Sequence, residues 1–149
     1  MGAKAFGEHC IGMPYSDLPV KVFLADDSAL IRARVAAMLA TPAMTIVGQA
    51  QTPQGCIEGI LATKPHVVVL DVQLDGGQGL DVLRAIRPAE PDIAFVVFSN
   101  NSQPAYRKRY LGAGAVRFLD KSAEFDQLPQ AVSAAATPIA PILSLKTAA

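Results

Sequence analysis

The sequence predicts an open α/β sheet of parallel strands with helices on both faces. Three observations predict it. Short apolar runs of strand type alternate five times with segments of helical period, a pattern that suits parallel strands joined by crossover helices. The run VVVL at 67–70 is unbroken and too short for a helix, which suits a strand buried on both faces. The strong polar residues fall just after such runs: Asp26 and Asp27, Asp71, Ser99 and Lys121. In open α/β sheets, ligands sit beyond the carboxyl ends of the strands.

Each element has a local reason. Residues 1–19 carry Gly and Pro, show no period and are expected to form a flexible leader. VKVFLA at 20–25 is a strand, followed at once by Asp26, Asp27 and Ser28. ALIRARVAAMLA at 29–40 is a helix, with Leu30, Ile31, Val35, Met38 and Leu39 on one side and Arg32 and Arg34 off it. Asp27 or Ser28 caps it, and Thr41-Pro42 ends it. MTIVGQA at 44–50 is the second strand. Thr52 and Pro53 read as N-cap and first helical position, with Ile57, Ile60 and Leu61 inward and a stop at Lys64-Pro65.

After Asp71, residues 75–79 (DGGQG) read as a loop. A third helix is expected from about Leu80 to Arg87, with Leu80, Leu83 and Ile86 inward. IAFVVF at 93–98 is the fourth strand, closed by Ser99. A fourth helix spans roughly 104–111, with Gly112 as its stop. AVRFL at 115–119 is the fifth strand. A last helix from near Phe125 to Ala135 keeps Pro129 in its first turn and turns Leu128 and Val132 inward. Residues 20–135 thus form one domain, and 136–149 are expected to be a flexible tail.

Bulk composition narrows the function. At 149 residues and 51% hydrophobic, the chain suits one domain with a sizeable core. Thirteen basic and thirteen acidic residues cancel, so nothing global points to nucleic acid or an anionic membrane. No run reaches membrane-span length, and the N-terminus lacks the apolar core of a secretory signal. Phe6 stands where a myristoylation signal wants Ser or Thr. Cys10 and Cys56 read as two unpaired thiols in a reducing, cytoplasmic setting. His9 and His66 lack metal-ligand spacing.

The polar residues suggest a chemistry. With strand order 2-1-3-4-5, which the family named below supplies, strands one and three are neighbours. Asp26, Asp27 and Asp71 then share a pocket, with Ser99 and Lys121 on its far side. Three carboxylates this close repel unless a cation intervenes. Oxygen ligands without His or Cys favour Mg²⁺ over zinc. The set suits a phosphoryl group on a carboxylate: Asp71 as acceptor, Mg²⁺ and Lys121 offsetting charge, Ser99 binding the product.

These residues resemble the receiver domain of two-component response regulators, of the stand-alone, chemotaxis-regulator type. The resemblance covers about residues 20–135. It rests on the Asp26-Asp27 pair, Asp71 after VVVL, Gly79 eight residues on, Ser99 after IAFVVF, and Lys121 in FLDK. It implies a flavodoxin-like, doubly wound, five-stranded parallel sheet of order 2-1-3-4-5. It implies that Asp71 accepts a phosphoryl group from a histidine kinase or phosphotransfer protein. Mg²⁺ would be held by Asp27, Asp71, the main-chain carbonyl of Gln73, and Asp26 through water. Ser99 would move toward the phosphoryl group and Phe118 turn inward, altering the face of helix four, strand five and helix five toward a downstream protein target. A phosphorylation-dependent dimer is compatible with this. Three departures stand out. Asp75 and Ser122 replace the usual prolines, which implies a looser, more negative loop and leaves the Lys121–Ser122 peptide isomer open. Phe118 lacks a hydroxyl, so its switch must run on packing alone.

Other readings compete. An aspartate-dependent phosphohydrolase would want a second Asp two residues after the nucleophile, where this chain has Gln73. An unphosphorylated receiver-like binding module would not need the full acid, Ser and Lys set. The chain therefore reads as a signalling module, not a metabolic enzyme, with no DNA-binding effector in its last residues. Gln73 and Asn101 flank the acceptor, where they either place water for hydrolysis or are plain loop residues. Arg107, Lys108 and Arg109 read first as a solvated helix face, and second as a dock for an acidic partner. The glycines at 76–79 lack a dinucleotide or Walker pattern and are read as loop.

Overall fold

The computed structural model describes residues 18–136. The expected leader and tail, with His9 and Cys10, lie outside the described residues except for Leu18, Pro19 and Ala136. The strands are β1 (Val20–Ala25), β2 (Met44–Ala50), β3 (Val67–Leu70), β4 (Ala94–Ser99) and β5 (Arg117–Asp120). The helices are α1 (Ala29–Met38), α2 (Pro53–Thr63), α3 (Gly79–Ala89), α4 (Pro104–Gly112) and α5 (Leu128–Ala135). All five strands pair in parallel, in the order β2-β1-β3-β4-β5. This is the open parallel sheet that the alternation implied, in the doubly wound, flavodoxin-like order that the family resemblance implied.

Side-chain alternation along each strand divides the core into two layers. Val22 and Leu24 face one layer with Val67, Val69, Val96, Phe98 and Leu119, covered by Val35 of α1, by Leu39 at its C-terminal cap and by Leu128 and Val132 of α5. Phe23 and Ala25 face the other, with Val68, Leu70, Phe95 and Val97, under Cys56 and Ile60 of α2, α3 and Tyr110 of α4. The Phe23 ring occupies the space left by two glycines: a Cβ on Gly48 of β2 would lie 2.8 Å from it, and one on Gly59 of α2, 2.7 Å.

Two helix faces differ from expectation. Leu30 is 69% exposed. The inward stripe of α1 starts at Ile31, and its neighbour Leu30 falls about 100° around the helix. On α2 the buried pair is Cys56 and Ile60, while Ile57 is half-buried and Leu61 is exposed. Thr52 caps α2 as predicted, its Oγ1 accepting the Gly55 N–H at 3.0 Å.

Three boundaries also differ. The expected loop at 75–79 contains a small antiparallel ribbon, Gln73–Leu74 against Gly77–Gln78, turning at Gly76 with φ +82°. The Asp75 N–H donates to the Gln51 carbonyl at 2.9 Å, so this segment is anchored and not loose. Gly112 is the last residue of α4, and the left-handed position falls at Gly114, φ +117°. The last helix begins as a 3₁₀ turn, Phe125–Gln127, before α5.

Candidate functional site

The parallel ladder continues one residue past each strand and lines up the site. The Asp26 N–H donates to the Ala50 carbonyl at 3.2 Å, Asp71 to Ala25 at 2.9 Å, and Lys121 to Ser99 at 3.0 Å. Asp26, Asp71, Ser99 and Lys121 therefore emerge at the carboxyl end of the sheet. Asp26, Asp71, Ser99 and Lys121 are the buried polar residues among the described ones.

Asp26, Asp27 and Asp71 each place a carboxylate oxygen within 4.8 Å of the others. The Lys121 ammonium is closer than the far side of the pocket. It donates to Asp26 Oδ2 at 2.6 Å and to Asp71 Oδ2 at 3.0 Å. Asp26 Oδ1 also accepts the Ser28 N–H at 2.8 Å, and Ser28 Oγ, the N-cap of α1, accepts from Ile31 at 3.2 Å. Arg32, one turn into α1, donates through Nη1 to the Asp26 carbonyl at 2.5 Å and through Nε to Gln49 at 3.3 Å. This residue was placed only as off the apolar stripe, yet it holds the loop that carries both aspartates.

The charges are strained in a consistent direction. Burial raises the Asp71 pKa and the Asp26 charge adds to it, against the lowering effect of Lys121 and the Ser99 hydroxyl. Burial and then Asp26 raise Asp27 as well. Burial opposes the charge on Lys121, but its hydrogen bond to Asp26 and the charge of Asp71 outweigh that and raise its pKa. One ammonium thus does not fully offset three carboxylates. An all-oxygen cluster with surplus negative charge suits a metal ion, so the donor set fits one. Gln73, expected to add its main-chain carbonyl, lies in the ribbon two residues on and is exposed.

Three further features surround the acids. A Cβ on Gly79 would lie 2.1 Å from the Asp71 carbonyl oxygen, while the Gly79 N–H donates to Val72 at 2.8 Å. Glycine is what lets α3 begin directly under Asp71. A cleft of about 370 Å³ opens beside Val72, lined in part by Gln73, Gln78, Asn101 and Tyr106. Phe118 is buried; Tyr110 packs edge-on against it, with ring centroids 6.2 Å apart.

Arg107 is not free to dock a partner. Its guanidinium lies 5.0 Å over the Phe118 ring, donates to the Phe118 carbonyl at 3.1 Å and to the Ser102 carbonyl at 3.2 Å, and sits 3.7 Å from Glu124. Lys108 and Arg109 remain exposed. The Lys121–Ser122 peptide is trans. Sequence reasoning missed Arg32, Ser102, Arg107, Tyr110 and Asp120 as structural parts of the site. Only Asp120, an acid directly before the lysine, carried a visible signal.

Comparison with known proteins agrees with this geometry. Residues 22–133 match the response regulator receiver domain. The chain is 32% identical over 114 residues to the response regulator GacA of Pseudomonas aeruginosa, covering 76% of this chain and 53% of GacA. It is 35% identical over 132 residues to protein-glutamate methylesterase/protein-glutamine glutaminase 5 of Anaeromyxobacter dehalogenans, covering 79% of this chain and 36% of that protein. The chain thus spans about half, or less, of the length of these curated relatives. Among solved structures, the NarL receiver domain of Mycobacterium tuberculosis superposes with a TM-score of 0.76 at 30% identity, covering 81% of this chain and 98% of that one. Among the described residues, no helix is long and apolar enough to cross a membrane. A match to 112 consecutive residues with the acidic pocket and lysine in place settles the relationship: the chain belongs to the response regulator receiver domain family.

Proposed function

We propose that this chain is a cytoplasmic, phosphorylation-switched signalling module in which Asp71 is the phosphoacceptor. The observation that carries the reading is the Lys121 ammonium shared between Asp26 and Asp71, beside Asp27. In the proposed step, an Asp71 oxygen attacks the phosphorus of a phosphohistidine on a histidine kinase or phosphotransfer protein. The O–P bond forms, the P–N bond breaks, and its electron pair returns to the donor imidazole.

Lys121 is already within hydrogen-bond reach of Asp71 and would turn to a phosphoryl oxygen as charge builds there. Ser99 Oγ, which accepts the Asn101 N–H at 3.0 Å, would donate a hydrogen bond to another. Asp27, Asp71 and the Gln73 carbonyl, with Asp26 through water, would hold Mg²⁺, which when bound offsets phosphoryl charge. Gln73 and Asn101, both lining the cleft, would govern water access to the product.

The output would pass through Phe118 and the face of α4, β5 and α5 to a downstream protein. Movement of Ser99 would disturb the β4–α4 loop, whose Ser102 carbonyl and Phe118 are both held by Arg107. Lys108 and Arg109 are the cations of α4 left to meet an acidic partner. A phosphohydrolase is less well supported, because Gln73 offers no carboxyl acid/base.

Incubation with acetyl phosphate and Mg²⁺ followed by intact-mass analysis tests the reading. One added phosphoryl group, absent from Asp71→Ala, is expected. No adduct on the wild type, or an equal adduct on the variant, would overturn it.

A further inference from the structure

The turn after β5 is held by a carboxylate. Asp120 ends β5 directly opposite Ser99 and directly before Lys121. Its Oδ1 accepts the Ser122 N–H at 2.7 Å, the Ser122 hydroxyl at 2.5 Å and the Ala123 N–H at 3.2 Å. Its Oδ2 accepts the Ser102 hydroxyl. Its main chain is tied as well: the Asp120 N–H donates to Glu124 Oε1 at 2.9 Å and its carbonyl accepts the Glu124 N–H at 2.8 Å. Residues 100–103 and 122–124 have no helix or ladder of their own, so one side chain joins two irregular segments. One follows Ser99 and the other follows Lys121.

The need for such a tie follows from the reach of Lys121. A lysine has a long stem with large rotamer freedom. Placing its ammonium on two carboxylates at once requires a fixed root. A proline after the lysine would stiffen that root covalently, but would remove the Ser122 N–H. Here the N–H is present, and Asp120 accepts it.

We propose that Asp120 is a positioning residue of this site: by joining the Ser99 loop to the Lys121 turn, it places the serine hydroxyl and the lysine ammonium together for an incoming phosphoryl group. This rests on the functional reading above. The three metal-facing aspartates lie after β1 and β3 and meet the network only through the Lys121 ammonium, which rests on Asp26 and Asp71. Misplacing that ammonium weakens phosphoryl binding but removes a positive charge that competes with a metal ion, so metal affinity should not fall.

Titration with beryllofluoride in the presence of Mg²⁺, followed by ¹⁹F NMR, reads phosphoryl-site affinity; calorimetry with Mg²⁺ alone reads the acids. Asp120→Ala is expected to weaken beryllofluoride binding about tenfold, the scale of one lost hydrogen bond, with Mg²⁺ affinity not reduced. Asp120→Asn should recover most of the loss. Its Oδ1 can accept the same three protons, and its amide can donate to Ser102 Oγ once that hydroxyl turns. Ser102→Ala, which removes one bridge and no backbone partner, should show part of the loss and serves if Asp120→Ala does not fold. Wild-type affinity in Asp120→Ala, or in Ser102→Ala should Asp120→Ala not fold, would overturn the inference. So would an equal loss in Asp120→Asn, or a parallel fall in Mg²⁺ affinity. A wild type that binds no beryllofluoride would instead remove the functional reading, and this inference with it.

Discussion

The Tyr110 hydroxyl accepts the Leu80 N–H at 3.0 Å, joining α4 to the first turn of α3. The same hydroxyl lies 3.5 Å from the Val72 carbonyl, one residue past Asp71. Burial pushes its pKa up to about 12, so it keeps its proton across the working range. Tyr110→Phe would preserve the ring against Phe118 but orphan a buried N–H. A loss of about 1–3 kcal/mol in urea unfolding is expected. An unchanged midpoint would show that water replaces the hydroxyl.

Gly79→Ala should be worse than its single methyl suggests. The new Cβ would meet main-chain atoms of Asp71, which cannot swing aside, and the Gly79 N–H pins it in place. Destabilisation of about 3 kcal/mol is expected, by denaturant titration. A substitution at Gly112, where a Cβ meets nothing within 4 Å, is the control and should be nearly neutral.

His66 gives stability a pH slope far from the site. Its Nδ1 accepts the Lys21 N–H at 2.9 Å, and burial lowers its pKa from the ordinary 6.5. Between the folded value and 6.5 the unfolded chain binds more protons. Stability therefore rises with pH in that window and is lost as pH falls below 6.5. Urea midpoints from pH 8 to pH 5 should fall for the wild type and fall less for His66→Gln.

Divalent metal should stabilise the fold. Asp27 and Asp71 both resist ionisation, burial being the larger cause, and a cation would relieve that. At 100 times its dissociation constant a ligand adds about 2.7 kcal/mol. Mg²⁺ should raise the melting temperature of the wild type and not of Asp27→Asn. The gain should shrink as pH falls toward the raised carboxylate pKa values. An equal rise in both proteins would place the ion elsewhere.

The sheet was legible because β3 is apolar on both faces and meets Asp71 without a spacer. Ladder continuity then carried Asp26, Ser99 and Lys121 to the same end. Leu30 and Leu61 were misread because each sits one residue off its helix stripe, a difference that short helices do not resolve. The ribbon at 73–78 was hidden by glycines that read as plain loop. Arg107 and Tyr110 lie in YRKRY, where dense charge masks one inward ring and one folded-back guanidinium. Their partners are distant in sequence, so no local pattern betrays them. Lys121 was expected at the right end of the sheet but on the far side of the pocket; its bridge to Asp26, 95 positions away, is a tertiary fact.

The ring of Phe23 and the missing side chains at Gly48 and Gly59 form a single volume shared by three segments. Drift at any one of these positions is therefore constrained by the other two. Among descendants of this sequence, a larger residue at 48 or 59 should survive only alongside a smaller one at 23, leaving a covarying trio whose origin is steric and has nothing to do with signalling.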